Sequence, residues 1–275
     1  MGLLACPLYA PFVALGLEPT PRNVEHLERL TSAFLAALTL LFVFRVFSLS
    51  FQDTTAFMLI FIFAFATPWL NTTPFCLWSH TGFILGLSLS LTLLAKLKDQ
   101  WAWGALFGFI VSAAALIRPP AALILLPFYL YACIVHRQRT LSILFGSLPL
   151  PLLQLFYNHS YNGKVTRFAI SSYFIDLFNS SATSHFINKM TFFKTFYGLL
   201  FSPSRGLFIY CPFLVFIFFA LHHKFDIPKK FIYGTALTLH FLLITQWSVW
   251  WGGHSYGPRL LLDAMPLMLI ILGYI

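Results

Sequence analysis

The sequence predicts an all-α fold, a polytopic bundle of about eight or nine membrane-spanning helices. Composition is the first observation behind this: 59% of the 275 residues are hydrophobic and 9% are charged. A soluble domain carries about 25% charged residues. The second is a mean hydropathy of +0.81 for the whole chain. The third is a recurrence of apolar runs close to bilayer length, separated by short polar breaks.

The apolar start is interrupted at once by Pro7 and Pro11, and no basic segment precedes it. It reads as neither a signal peptide nor a span. A polar stretch over 18–29 follows, with Pro21 at a helix start. Spans are predicted near 30–47, 54–70, 80–95, 101–117, 121–135, 141–157, 207–221, 231–249 and 260–275. Arg118-Pro119-Pro120 divides two of them, because tandem prolines remove amide donors and clash with the preceding turn. The whole is one transmembrane helical domain, 1–275, with an outer-face loop segment at about 158–205.

Charge orients the bundle. If the spans alternate, Arg45, Lys96, Lys98, Arg137, Arg139, Lys224, Lys229 and Lys230 share one side in short loops, which marks that side as cytoplasmic. The net charge of +9 is thereby assigned to inner loops and anionic lipid rather than to nucleic acid. Three N-x-S/T triplets, at Asn71, Asn158 and Asn179, fall on the other side. The four cysteines show no metal spacing and read as packing residues.

Polar chemistry collects on that outer side. The loop 250–259 packs two tryptophans, three glycines, a proline, His254, Tyr256 and Arg259 between two apolar runs. Trp78-Ser79-His80 enters one span, and Ser202-Pro203-Ser204-Arg205-Gly206 enters another. Arg118, Arg205 and Arg259 thus stand at similar depth, each at a helix end, and are expected to converge on a phosphate or diphosphate group, whose oxygens guanidiniums bind in pairs. The bland alternative pairs each arginine with lipid phosphate or with an acid. Asp263, four residues after Arg259, is its nearest acid in sequence. His80 and His254 are candidate acid/base groups or structural histidines, and metal ligation would need further partners. Asp263 is the most membrane-embedded of the outer acids, which also include Glu18, Glu25, Glu28 and Asp176. Tyr256, Trp247, Trp250 and Trp251 suit interfacial anchoring or stacking on a sugar ring.

The run Trp251–Arg259 followed by Leu261–Pro266 resembles the late outer loop of GT-C multi-span glycosyltransferases of the protein-mannosyltransferase and aminoarabinose-transferase group. Trp78-Ser79-His80, Arg118-Pro119, Ser202-Pro203-x-Arg205-Gly206-Leu207-Phe208 and the opening Gly2-Leu3-Leu4-Ala5-x-Pro7-Leu8-Tyr9 are similar to further parts of that family. The resemblance implies transfer of a sugar from a polyprenyl-phosphate donor to a lipid or protein acceptor at the non-cytoplasmic face of a bacterial inner membrane. It names no cofactor beyond that donor, and as partners only membrane lipids and the lipid-linked sugar. In the family an acid of the first outer loop activates the acceptor. Nothing acidic precedes Glu18 here, and the family's first span has no counterpart. The resemblance therefore implies a chain shortened at its amino terminus, or a role for Glu18 or Asp263 in place of that acid. A lipid-linked-sugar flippase and a non-catalytic membrane fragment are the competing expectations.

Overall fold

The computed structural model of the chain describes residues 2–16, 18, 20–97, 100–162, 189–220, 227–246, 250–253 and 255–275. Lys98, Asp176, Asn179, Lys224, Trp247 and His254 lie outside the described residues, as does 163–188 of the expected outer loop segment. All regular structure among the described residues is helical. In chain order the helices are α1 Gly2–Ala14, α2 Pro21–Ser48, α3 Asp53–Phe65, α4 Trp69–Thr72, α5 Ser79–Leu94, α6 Trp101–Ile117, α7 Ala122–Val135, α8 Thr140–Ser147 and α9 Pro149–Asn162. They continue with α10 Lys189–Phe201, α11 Leu207–Tyr210, α12 Ile217–Ala220, α13 Ile227–Thr245 and α14 Met265–Leu272. Short 3-10 turns occupy Pro119–Ala121, Arg137–Arg139, Pro212–Phe216 and Arg259–Ala264.

Two stretches among the described residues, Pro21–Ser48 and Arg137–Ser160, are long and apolar enough to cross a bilayer. Others are apolar helices of 10–17 residues, among them Ser79–Leu94 and Trp101–Ile117. The expected count of spans therefore meets shorter pieces, and proline is the reason in several places. The run 54–70 is cut at Ala66, where α3 ends and Thr67-Pro68 turns the chain into α4. The run 207–221 is broken at Cys211-Pro212 into α11, a 3-10 turn and α12. The run 141–157 divides at Leu148, before Pro149. At Arg118-Pro119-Pro120 the tandem prolines separate α6 from α7 as the sequence predicts.

The polar stretch 18–29 largely belongs to α2. Thr20 Oγ1 accepts from Asn23 N–H at 3.3 Å, and Pro21 opens the helix. Glu25 and Arg29 pair one turn apart on its exposed face.

Two elements form the centre. α5 is buried continuously from His80 to Ser88, and α14 from Met265 to Ile271. α2 and α6 pack on α5, α8 packs on α6, and α13 packs on α7 and α14. Several hydroxyls within these apolar helices are satisfied by their own backbone. Ser88 donates to Ile84 O at 2.8 Å, Ser90 to Gly86 O at 2.7 Å and Thr39 to Leu35 O at 2.7 Å. The outward faces are strongly apolar, with Phe57, Phe61, Leu141, Phe145, Phe219 and Phe231 all exposed. Of the sequence triplets, Asn71 is exposed, whereas Asn158 is buried and accepts from Gln154 Nε2 at 2.9 Å.

Candidate functional site

Asp263 is the hub of the polar chemistry. Its side chain is fully buried in the 3-10 turn Arg259–Ala264, immediately before α14. A carboxylate in such a place needs a charge partner and filled lone pairs. Its Oδ2 accepts from Arg118 Nε, and its Oδ1 accepts from His80 Nδ1 at 2.8 Å. Arg118 stands at the carboxyl end of α6 and His80 in the first turn of α5, so the carboxylate ties three elements together. Arg118 Nη1 also donates to Ser79 Oγ at 3.1 Å.

This overturns the sequence alternative in which Asp263 pairs with Arg259. Residues four apart align on an α-helix, but the turn Arg259–Ala264 is 3-10, where i and i+3 align instead. Asp263 consequently turns toward Arg118, and Arg259 has no carboxylate partner among the described residues.

Arg259 is held by other means. Its Nη2 donates to the Gly252 carbonyl at 2.6 Å. Its guanidinium carbon lies 4.3 Å from the centre of the Trp78 ring, a cation–π stack. Its Nε is buried without a hydrogen-bond partner among the described residues. Arg205 donates from Nη2 to the next carbonyl, Gly253 O, at 2.7 Å. Arg118 and Arg205 are both close enough for their positive charges to act on Arg259.

Arg205 and Arg259 thus reach one turn through consecutive carbonyls, while Arg118 is bonded to Asp263, four residues after Arg259, and all three are half-buried. Among the described residues, one carboxylate, that of Asp263, is bonded to any of the three. The backbone is shaped for this: Gly252, Gly253 and Gly257 take φ of +73°, +71° and +59°, the left-handed region that glycine tolerates. Tyr256 sits on the same loop, exposed, and packs edge-to-face on Tyr210 with centroids 5.0 Å apart. The apolar groove that Phe231, Gly234 and Leu239 line along α13 contains none of the arginines.

Glu18, the other candidate for an acceptor-activating acid, is exposed ahead of α2. Its backbone carbonyl accepts from Asn23 Nδ2 at 3.0 Å and from Thr20 N–H at 2.8 Å, and among the described residues no hydrogen bond or ion pair joins it to the arginines. Among the described residues, no group of three or more His, Cys, Asp or Glu is arranged to hold a metal ion.

One participant escapes the sequence reading, and a second is named there as an outer acid without its partner. His240, fully buried in α13, has its Nε2 3.1 Å from the Leu260 carbonyl, one residue after Arg259. An ionisable residue inside an apolar run is the available signal for it, the same signal that singles out Asp263. Glu28, in α2, accepts from Leu77 N–H at 3.2 Å and so fixes the chain just before Trp78. Nothing in its sequence neighbourhood points to a partner 49 positions away.

Comparison with protein-family models, with curated proteins and with solved structures finds no match to this chain.

Proposed function

We propose that the chain is a polytopic membrane protein whose arginine cluster binds the phosphate of a polyprenyl-linked sugar, and that it acts as a GT-C-type glycosyltransferase or as part of one. The observation that carries this reading is the placing of Arg205 and Arg259 on consecutive carbonyls of one turn, with Arg118 held by Asp263 four residues after Arg259 and no other carboxylate bonded to the three among the described residues. Guanidiniums in excess of acids, at the rim of an apolar bundle, complement an oxyanion attached to a long apolar chain. In transfer of the sugar, the acceptor oxygen bonds to the sugar and gives up its proton to water, the bond from the sugar to phosphate breaks, and polyprenyl phosphate leaves with the electron pair, its charge stabilised by the cluster. Arg205 and Arg259 are the arginines available for this, since Arg118 is committed to Asp263.

Asp263 holds the cluster in place on this reading. Each of its oxygens accepts one bond, from His80 or Arg118, and the side chain is fully buried, so on this reading it is a positioning residue. The exposed apolar faces support burial in lipid, as do Arg45 in the last turn of α2 and Arg137 and Arg139 at the far end of α7. The arginine cluster then faces the non-cytoplasmic side of a bacterial inner membrane.

The test is binding of a polyprenyl phosphate to the chain in nanodiscs, against the matching polyprenyl alcohol. Arg259→Ala should weaken phosphate binding by about 10- to 100-fold, the worth of one or two charged hydrogen bonds. Equal binding of alcohol and phosphate, or an unchanged affinity in the variant, overturns the proposal. A second reading, movement of the lipid-linked sugar without cleavage, draws on the breaks at Thr67-Pro68 and Cys211-Pro212. Translocation in proteoliposomes with no sugar transferred would select it.

A further inference from the structure

The two arginines free of Asp263 are not open. Arg205 and Arg259 donate to two consecutive peptide carbonyls, Gly253 O at 2.7 Å and Gly252 O at 2.6 Å. Both glycines have positive φ, which aims neighbouring carbonyls at guanidiniums that arrive from different turns. Two oxygens a few ångströms apart, each on its own guanidinium, is also how a phosphate would present itself to this pair. Resting on the anion-binding reading above, we propose that the Trp250–Gly253 turn is a self-occupying strap: its two carbonyls stand in for phosphate oxygens, and an entering phosphate displaces them and releases the turn.

The exchange is physically reasonable in each part. A charged oxygen is a stronger acceptor for a guanidinium than a neutral carbonyl, because opposite full charges then attract across the bond. The carbonyls released keep donors of their own, since Gly253 O also accepts from Ser255 N–H at 3.0 Å and Gly252 O from Ser255 Oγ at 3.4 Å. The buried Nε of Arg259, which has no partner among the described residues, marks a donor that a third oxygen of the anion can use. Trp250 anchors one end of the turn by packing against Gly198 of α10, where any added Cβ would strike the indole.

Gly253 allows a clean test. A Cβ added there meets nothing within 4 Å, so Gly253→Ala acts only through its φ of +71°. That strain disfavours the strapped conformation and leaves the arginines intact. Farnesyl phosphate binding is measured by calorimetry on the full chain in detergent. The strap predicts that Gly253→Ala binds about fivefold more tightly than the wild type, the equivalent of the strain removed. A strap that instead contributed to the ligand's own site would give weaker binding in the variant. Wild-type binding with unchanged or weaker affinity in Gly253→Ala overturns the strap and leaves the anion site standing. No wild-type binding at all removes the anion site, and the strap with it. A second measurement needs no variant: amide hydrogen exchange across 250–253 should speed up when farnesyl phosphate saturates the wild type. Ordinary ligand protection, with exchange slowed there, overturns the proposal.

Discussion

At the residue scale the chain's polar chemistry turns on Asp263. Removing one member of a buried ion pair costs about 3–5 kcal/mol, because the partner is left charged and unmatched. Asp263→Asn is therefore expected to lose about that much stability, read as a lowered midpoint of thermal unfolding in detergent. Arg118→Met combined with Asp263→Met should lose less than Asp263→Asn, since no lone charge stays behind. His240→Leu removes the donor from the Leu260 carbonyl and should cost about 1–3 kcal/mol in the same assay. The sequence makes the three arginines and Asp263 visible, because ionisable residues beside apolar runs are expensive and few. It does not make their pairing visible. Choosing between Arg259 and Arg118 as the partner of Asp263 depends on whether residues 259–264 wind as α or 3-10 helix, a matter of one hydrogen-bond register.

At the scale of elements, the tightest packing is made by small residues rather than by large ones. A Cβ at Gly146 of α8 would strike the backbone of Ala105 in α6, and one at Gly108 would strike the Ile143 carbonyl. Helices approach this closely only where side chains are absent. Gly146→Ala should accordingly destabilise the protein by about 1–3 kcal/mol. Gly234→Ala in α13, where the added methyl meets nothing within 4 Å, should raise stability by up to about 1 kcal/mol. Thermal unfolding of the two variants side by side separates packing from propensity. Hydropathy locates α5, α6 and α7 closely, because proline or charge bounds each of those runs. It reads straight through the breaks at Pro68, Pro149 and Pro212, since a windowed average does not register a lost donor. The glycine face between α6 and α8 has no period that hydrophobicity could detect.

At the scale of the molecule, the two ends of the bundle differ in chemistry. One end carries the arginine cluster with His80 and Asp263; the other carries Arg45, Lys96, Arg137 and Arg139. If the first faces outward, an impermeant maleimide added to intact cells should label Cys76, which is exposed and lies two residues before Trp78, in a chain with the other cysteines replaced. Labelling only after the cells are broken would invert the orientation. This asymmetry is legible in the sequence from basic residues alone. What lies beyond it is the closure that Asp263 makes, 183 positions from His80 and 145 from Arg118. A growing chain is made and folds from its amino end. His80 and Arg118 must therefore wait while a further 183 and 145 residues are made before their counter-ion emerges. Until then a guanidinium stands unneutralised at the edge of the apolar bundle, and the cluster closes only once Asp263 is in place.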